Sequence, residues 1–373
     1  MPSDNKPKLL VIEGDGIGHE VIPQALRVVE WFDANRKIAF DVTDGELGVG
    51  TYNKNGKTML PDATLEKSFK SDAILFGAIG GDGYEDIPIE VRRETGLLAL
   101  RRKLGLFANL RPVVAYDELL DASTLKPEIV KGVDMIIVRE LSSGIYFGEP
   151  RGIEDLGNGV RRGYNTMTYT TPEIHRVLRI SFELARSRRN RLCSIEKSNV
   201  LETSKLWREE ARKIAKQEFP DVEFKELIVD AASMELIRNP KQFDIIVTGN
   251  MFGDILSDAA AMLTGSLGML PSASLSEPDK TGRRNAFFEP VHGAAPDIAG
   301  RNIANPLAAI LSFAMALRHT FEAPGEADLL ERAVRATVAR GVRTADIKGS
   351  ETRAVSTRDM GDAILESLDR LNG

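Results

Sequence analysis

Short apolar runs alternate with longer stretches whose apolar residues recur every third or fourth position along almost the whole chain. The runs "KLLVIEG", "DAILFGAIGG", "VDMIIVRE" and "FDIIVTGN" have the branched, glycine-bounded character of β-strands. Between them, "EVIPQALRVVEWF", "TPEIHRVLRISFELARSRR" and "SKLWREEARKIAKQEF" carry helical periodicity. Such alternation predicts α/β architecture with a largely parallel sheet. Around "EDLGNGVRRGYNTMTYT" the pattern changes to polar alternation, which predicts exposed antiparallel strands forming a small arm. With helices and turns resuming on both sides, we expect a discontinuous first domain built from both chain ends, with the middle inserted.

The stretch "LLVIEGDGIGHEVIPQAL", Leu9 to Leu26, has the outline of a dinucleotide-binding turn: strand, glycines, helix. Gly14-x-Gly16 calls for a third glycine at position 19, where the chain has His19, so the fingerprint is broken. A turn out of a buried strand needs the same glycines, and Pro23 is expected in the first helical turn, which requires no amide donor.

Composition narrows the class. At 373 residues with 42% hydrophobic and 28% charged, the chain suits two core-bearing domains and no disorder. A formal net charge of −6, with no basic block, argues against nucleic-acid binding. One cysteine, Cys193, leaves no intramolecular disulfide framework and fits a reducing cytoplasm. "MPSDNKPK" lacks an apolar secretory core and no run reaches membrane-spanning length, so a cytoplasmic protein without a membrane partner is expected.

Several residues point to chemistry. Arg101 and Arg111 flank the apolar part of "ETGLLALRRKLGLFANLRP", and Arg139 follows in "IIVRELSSGIYFGEPRG". Guanidinium groups bind carboxylates in a two-pronged fork, so three of them suit a di-acid; taken singly, each reads instead as a solvated surface charge or a structural ion pair. Asp254 and Asp258 in "VTGNMFGDILSDAAAML" stand at i and i+4, on one helix face, where like charges repel unless a divalent cation sits between them. Alone, the pair also reads as a helix-terminal acid and a solvated neighbour. Lys197 in "CSIEKSNVLE" and Tyr146 in "GIYFGEP" are candidate proton-transfer groups. Finally, "FFEPVHGAAPDIAGRNIANP" is an irregular loop of the kind that carries function, with His292 and Asp297 placed to meet an adenosine, or else a rigid connector.

Taken in order, "ETGLLALRRKLGLFANLRP", "VRELSSGIYFGEPRG", "NPKQFDIIVTGNMFGDILSD", "LTGSLGMLPSASL" and "EPVHGAAPDIAGRNIANP" closely resemble the isocitrate/isopropylmalate dehydrogenase family of β-decarboxylating dehydrogenases, over nearly the whole chain. The resemblance implies an isopropylmalate dehydrogenase-like two-domain fold: a mixed, mostly parallel, non-Rossmann sheet with a small antiparallel arm near 150–171 at a dimer interface. Residues 1–106 and 264–373 would form the first, cofactor-binding domain, and 107–263 the second, which dimerises and binds metal and substrate.

Carried over residue by residue, it implies that Arg101, Arg111 and Arg139 hold the substrate carboxylates while Lys197 acts as base and Tyr146 as acid. Asp230 in "LIVDAASM" would join Asp254 and Asp258 on magnesium or manganese and touch substrate, with Lys197 and Asp230 reaching into the partner's cleft of a homodimer. Glu94, Leu97 and Leu98 would face the C3 substituent. An apolar wall fits an isopropyl group, and burying a third carboxylate against leucines is costly, so 3-isopropylmalate is expected over isocitrate. D-malate, tartrate and other 3-alkylmalates remain alternatives, as does a non-catalytic regulatory subunit, although such subunits lose the arginines or aspartates kept here. For the cofactor, Asp297 would accept from the adenosine ribose and repel a 2′-phosphate, favouring NAD. Glu289, His292, Gly293, Ala295 and Asn305 match other contacts of that loop, and Ile17, on the opening glycine turn, would edge the adenosine pocket. Departures from the family pattern are His19, the "GELGVGTYNKNGKTML" loop, the missing acid in "SDAAAM" and the polar "SLSEPDKTGRRNAFF" segment.

Overall fold

The computed structural model describes residues 6–349 and 353–373. Along the chain its strands are β1 (Lys8–Gly14), β2 (Asp41–Asp44), β3 (Ala73–Ala78), β4 (Ala108–Val114), β5 (Asp134–Glu140), β6 (Gly152–Asp155), β7 (Arg161–Tyr164), β8 (Arg191–Glu196), β9 (Glu223–Ile228), β10 (Ile245–Thr248), β11 (Pro271–Leu275) and β12 (Ala286–Pro290). The residues divide into two compact units.

The first unit gathers the chain up to Leu106, Ala115–Gly132 and the chain from Ala261 onward. Here β2, β1, β3 and β12 pair in parallel and β11 runs antiparallel to β12. Helix Leu307–His319 is the hub of its core. Every residue from Leu307 to Leu317 is buried, as expected of a helix apolar on all sides. Helix Gly18–Asn35 turns Val21, Ile22, Ala25, Val28, Val29 and Phe32 inward, spaced as one helical face, and Phe32 meets Phe313 edge-on at 6.1 Å. Fully burying a side chain of this size is worth about 1.5–3 kcal/mol. Pro23 departs from expectation: the helix begins at Gly18, so the proline falls in the second turn and withholds the amide that would bond the His19 carbonyl.

The second unit comprises Phe107–Val114 and Val133–Ala260. In it β5, β10, β8 and β9 are parallel and β4 is antiparallel to β5. Helix Thr171–Arg186 starts with a capping box, in which Thr170 and Glu173 satisfy each other's backbone amides, and buries Ile174, Val177, Leu178 and Phe182. Phe182 stacks on Phe219 at 4.8 Å. The polar alternation around residue 160 forms the β6–β7 ribbon, antiparallel and largely exposed.

Ala115–Gly132 corrects the expected division. Sequence order puts it in the second domain, yet it packs in the first unit, where Arg343 donates to both oxygens of Asp121 at 2.9 Å and Arg335 lies 5.2 Å over the buried Tyr116 ring. No helix among the described residues is long and apolar enough to cross a membrane.

In each unit the parallel strands deliver loops at their carboxyl ends, the usual position for ligand chemistry in such sheets. Gly14 leads into the glycine turn and Pro290 into the His292 loop; Arg139 is the penultimate residue of β5, while Lys197 and Asp230 lie just beyond β8 and β9.

Candidate active site

The second unit carries a charged cluster. Arg139 is buried, its Nε and Nη2 donating to Oδ1 of Asn250 at 3.0 and 2.8 Å and its Nη1 to Oδ1 of Asp254. The helix Asn250–Thr264 comes this close because residue 253 is glycine: a Cβ there would lie 2.7 Å from the Arg139 side chain. Arg111, equally buried, projects from β4. Its Nε donates to Asn109 at 2.8 Å, its Nη1 to Ser257 at 2.6 Å and to Asp258 at 3.0 Å, and its Nη2 lies 3.3 Å from Asp254. The repulsion inherent in acids at i and i+4 is thus offset by two guanidinium groups. Tyr146 completes the cluster, its hydroxyl donating to Oδ2 of Asp254 at 2.8 Å and its ring lying 5.5 Å from the Arg139 guanidinium.

The environment sets protonation. Burial, then the hydrogen bond to Asp254, pushes the Tyr146 phenol above its ordinary value, so it holds its proton at neutral pH. Burial also lifts the Asp258 carboxyl, against the pull of Arg111. Asp258, partly shielded yet still open to solvent, lies one helical turn from Asp254, and two such carboxyl groups are a donor set suited to a hard divalent cation. Among the described residues of one chain, however, no three acidic, histidine or cysteine side chains gather as a metal cage. Asp230 ion-pairs instead with Lys197, whose side chain is 24% exposed against 62% for the aspartate.

The first unit carries a loop system of its own. Arg101, at the end of helix Leu97–Lys103, pairs with Glu289 of β12, both largely buried, and its Nε is buried without a partner. Leu97 and Leu98 are half-buried and Glu94 is exposed. Ile17 is buried, and its amide donates to the Ala294 carbonyl at 2.9 Å, which joins the opening glycine turn to the 292–305 loop. In that loop Ala295 adopts a left-handed conformation (φ 43°), Gly293 and Asp297 are exposed, and the Asp297 carbonyl accepts from Arg301 at 3.4 Å. Burial holds the His292 imidazole below its ordinary pKa while Nε2 is buried with no hydrogen-bond partner, a vacancy in bonding that suits a polar ligand. Asn305 is buried, donating to Oδ2 of Asp346 at 3.0 Å and accepting from the Leu307 amide at 3.0 Å.

Arg111, Arg139, Tyr146, Asp254 and Asp258 therefore come together, Lys197 and Asp230 form a pair, and Arg101 joins Glu289. Asn250, Ser257 and Asp346 were missed. Asn250, the first residue of the helix that follows β10 in "TGNMFGD", carried the one available hint, an amide side chain at a strand-to-helix junction; Asp346 had none.

The chain is similar to known proteins along almost its whole length. The family model for isocitrate/isopropylmalate dehydrogenase matches residues 8–364. The 3-isopropylmalate dehydrogenase of Paramagnetospirillum magneticum is 56% identical over 365 residues, covering 98% of this chain and 99% of the relative, and that of Cereibacter sphaeroides is 54% identical, covering 97% and 98%. Among solved structures, isocitrate dehydrogenase from Methylococcus capsulatus superposes with a TM-score of 0.82 at 34% identity, covering 97% of this chain and 99% of its own. A β-decarboxylating dehydrogenase from Thermococcus kodakarensis gives 0.74 at 34% identity, with 98% and 96% covered. With its charged cluster, its mixed sheet and matches of this extent, the chain belongs to the isocitrate/isopropylmalate dehydrogenase family.

Proposed function

We propose that the chain catalyses the NAD- and divalent-metal-dependent oxidative decarboxylation of (2R,3S)-3-isopropylmalate to 4-methyl-2-oxopentanoate and CO2, a step of leucine biosynthesis. The observation that carries this reading is the buried cluster in which Arg111, Arg139 and Tyr146 converge on Asp254. The naming of relatives 51–56% identical to this chain supports the choice of substrate.

Arg101, Arg111 and Arg139 bind the two carboxylates, fixing C2 and C3 of the substrate. Lys197 accepts the C2 hydroxyl proton as the alcohol becomes a ketone. The C3–carboxylate bond then breaks, its electron pair passing into an enolate as CO2 leaves, and Tyr146 returns a proton to C3. Its raised pKa suits that role, because the phenol keeps its proton until a strongly basic carbon appears. Asp254 and Asp258, with Asp230 from a second copy, would hold magnesium or manganese, and Ile17, Glu289, His292, Gly293, Ala295, Asp297 and Asn305 would hold NAD. When bound, the cofactor takes the C2 hydride and the metal ion polarises the C2 oxygen.

A homodimer with shared sites fits the apolar surface of the second unit, where Val200, Met234, Ile237 and Ile255 are each more than half exposed, as is Ile153 on the ribbon. We place the enzyme in the cytoplasm. Burial pushes the free Cys193 thiol up to about 12, which keeps it inert there.

The test is a substrate panel with purified protein, NAD and magnesium or manganese: NADH formation from 3-isopropylmalate should exceed that from D-malate, tartrate and isocitrate in kcat/KM. A higher kcat/KM for D-malate or tartrate overturns the substrate reading.

A further inference from the structure

The opening turn holds a buried acid with no role in the chemistry above. Asp15 lies between Gly14 and Gly16, both in the left-handed region, and is 7% exposed. Its side chain meets backbone amides from two distant segments. Oδ2 accepts from Val49 at 3.0 Å and from Gly80 at 3.1 Å, and Oδ1 from Gly50 at 3.3 Å. Its own amide donates to the Ala78 carbonyl at 2.8 Å. The surroundings are cut to fit: a Cβ on Gly48 would stand 2.5 Å from both Asp15 oxygens, and one on Gly16 would stand 2.2 Å from the Ala294 carbonyl.

We propose that Asp15 is a positioning residue for the nicotinamide cofactor: it ties the glycine turn, the Gly48–Gly50 segment and the loop after β3 into one wall of the cofactor site. Two contacts carry the effect outward. Ile17 donates to the Ala294 carbonyl, and a Cβ added at Gly81 would stand 3.7 and 3.8 Å from the β-carbons of Ala294 and Pro296, so the glycine turn and the loop after β3 both rest on the 292–305 loop. A carboxyl group taking three amides is a stronger tie than neutral hydrogen bonds, and it satisfies the buried Val49 amide as well as those of Gly50 and Gly80. The turn's glycines are needed for close backbone approach, a Cβ on Gly14 standing 1.8 Å from the Ala78 carbonyl, whereas the glycine that makes room for the carboxyl group is Gly48.

The inference rests on the first unit being the cofactor-binding unit. The experiment is NADH binding by fluorescence, with steady-state kinetics, on the wild type, Asp15→Asn and Gly48→Ala. Gly48→Ala leaves Asp15 in place and displaces its carboxyl from the other side while straining the backbone at φ 139°, so thermal melts of both variants accompany the binding and separate lost affinity from lost folding. We expect KM for NAD and Kd for NADH to rise about tenfold, the size of one lost hydrogen bond to a charged acceptor, with kcat and the 3-isopropylmalate KM within about twofold. Unchanged NAD affinity, or equal rises in both KM values, overturns the proposal. A wild type that binds no NADH overturns the cofactor reading instead.

Discussion

The hydroxyl of Tyr146 donates to Oδ2 of Asp254 at 2.8 Å while Oδ1 of the same carboxyl group takes the Arg139 guanidinium. The phenol is thereby held in one orientation and kept protonated, since burial and the acid beside it both raise its pKa from 10.0. Tyr146→Phe keeps the ring over Arg139 and deletes the proton. We expect kcat to fall by about 10²–10⁴, with both KM values little changed and thermal stability preserved. The raised pKa also means that any alkaline loss of activity from ionising Tyr146 is displaced upward from the ordinary phenol range. A kcat for the phenylalanine variant near that of the wild type sinks its role as acid.

Asp258 provides a pH test for the metal. Its pKa in the fold is raised above 3.8, chiefly by burial, so ionising it costs the folded state, and its contribution to stability falls as pH rises through the window above 3.8. A cation binds the ionised carboxyl and should reverse that loss. Manganese or magnesium should therefore raise Tm at neutral pH, by the equivalent of about 2.7 kcal/mol at about 100 times Kd, and the gain should fade as pH falls through the raised pKa. If Asp258→Asn shows the same metal-induced shift in calorimetry, Asp258 is not a ligand.

Part of this was legible without coordinates, for identifiable reasons. Strand and helix periods placed β1, β3, β5 and β10 because buried parallel strands read as continuous apolar runs. Asp254 and Asp258 could be paired from their spacing, since a helix puts i and i+4 on one face. What neutralises them could not: Arg111 is 147 residues from Asp258 and reaches it through an antiparallel strand. Ala115–Gly132 was misplaced because the Arg343–Asp121 contact that holds it spans 222 residues. Asp15 was in plain view, but a short acid inside a glycine turn looks the same whether it faces solvent or, as here, three amides from 34 to 65 positions away.

Leu97 and Leu98 test substrate choice. Both are half-buried at the start of the helix that ends with Arg101. If they wall the isopropyl group, Leu97→Ala with Leu98→Ala should lower kcat/KM for 3-isopropylmalate far more than for D-malate, which has no alkyl group to lose contact. A hydrophobic pocket discriminates by roughly 1–3 kcal/mol per methylene, or about 10–200-fold. Equal losses for the two substrates in a kinetic comparison would remove the leucines from the pocket.

Asp297 tests cofactor choice. It is exposed on its loop, its carboxyl available to ribose hydroxyls and repulsive to a 2′-phosphate. The wild type should use NAD in strong preference to NADP. Asp297→Arg should lower kcat/KM for NAD and raise that for NADP, narrowing the ratio by at least about 100-fold as a repulsion becomes a charge-assisted contact. A wild type indifferent between the cofactors, or a variant with an unchanged ratio, contradicts the assignment.

The Lys197–Asp230 pair tests whether sites are shared between subunits. In one chain Lys197 bonds Asp230, and no complete acidic cage forms among the described residues. If these two residues serve the partner's Tyr146 and Asp254, each site needs Lys197 from one copy and Tyr146 from the other. Lys197→Met and Tyr146→Phe homodimers should each be nearly inactive. After unfolding and co-refolding at equal amounts, half the dimers are mixed, and every mixed dimer holds one site with both residues intact. Activity should return to about a quarter of the wild-type value, a figure set by two-fold symmetry alone. Sites confined to single chains would leave the mixture as inactive as its parents, because each chain would carry one of the two lesions.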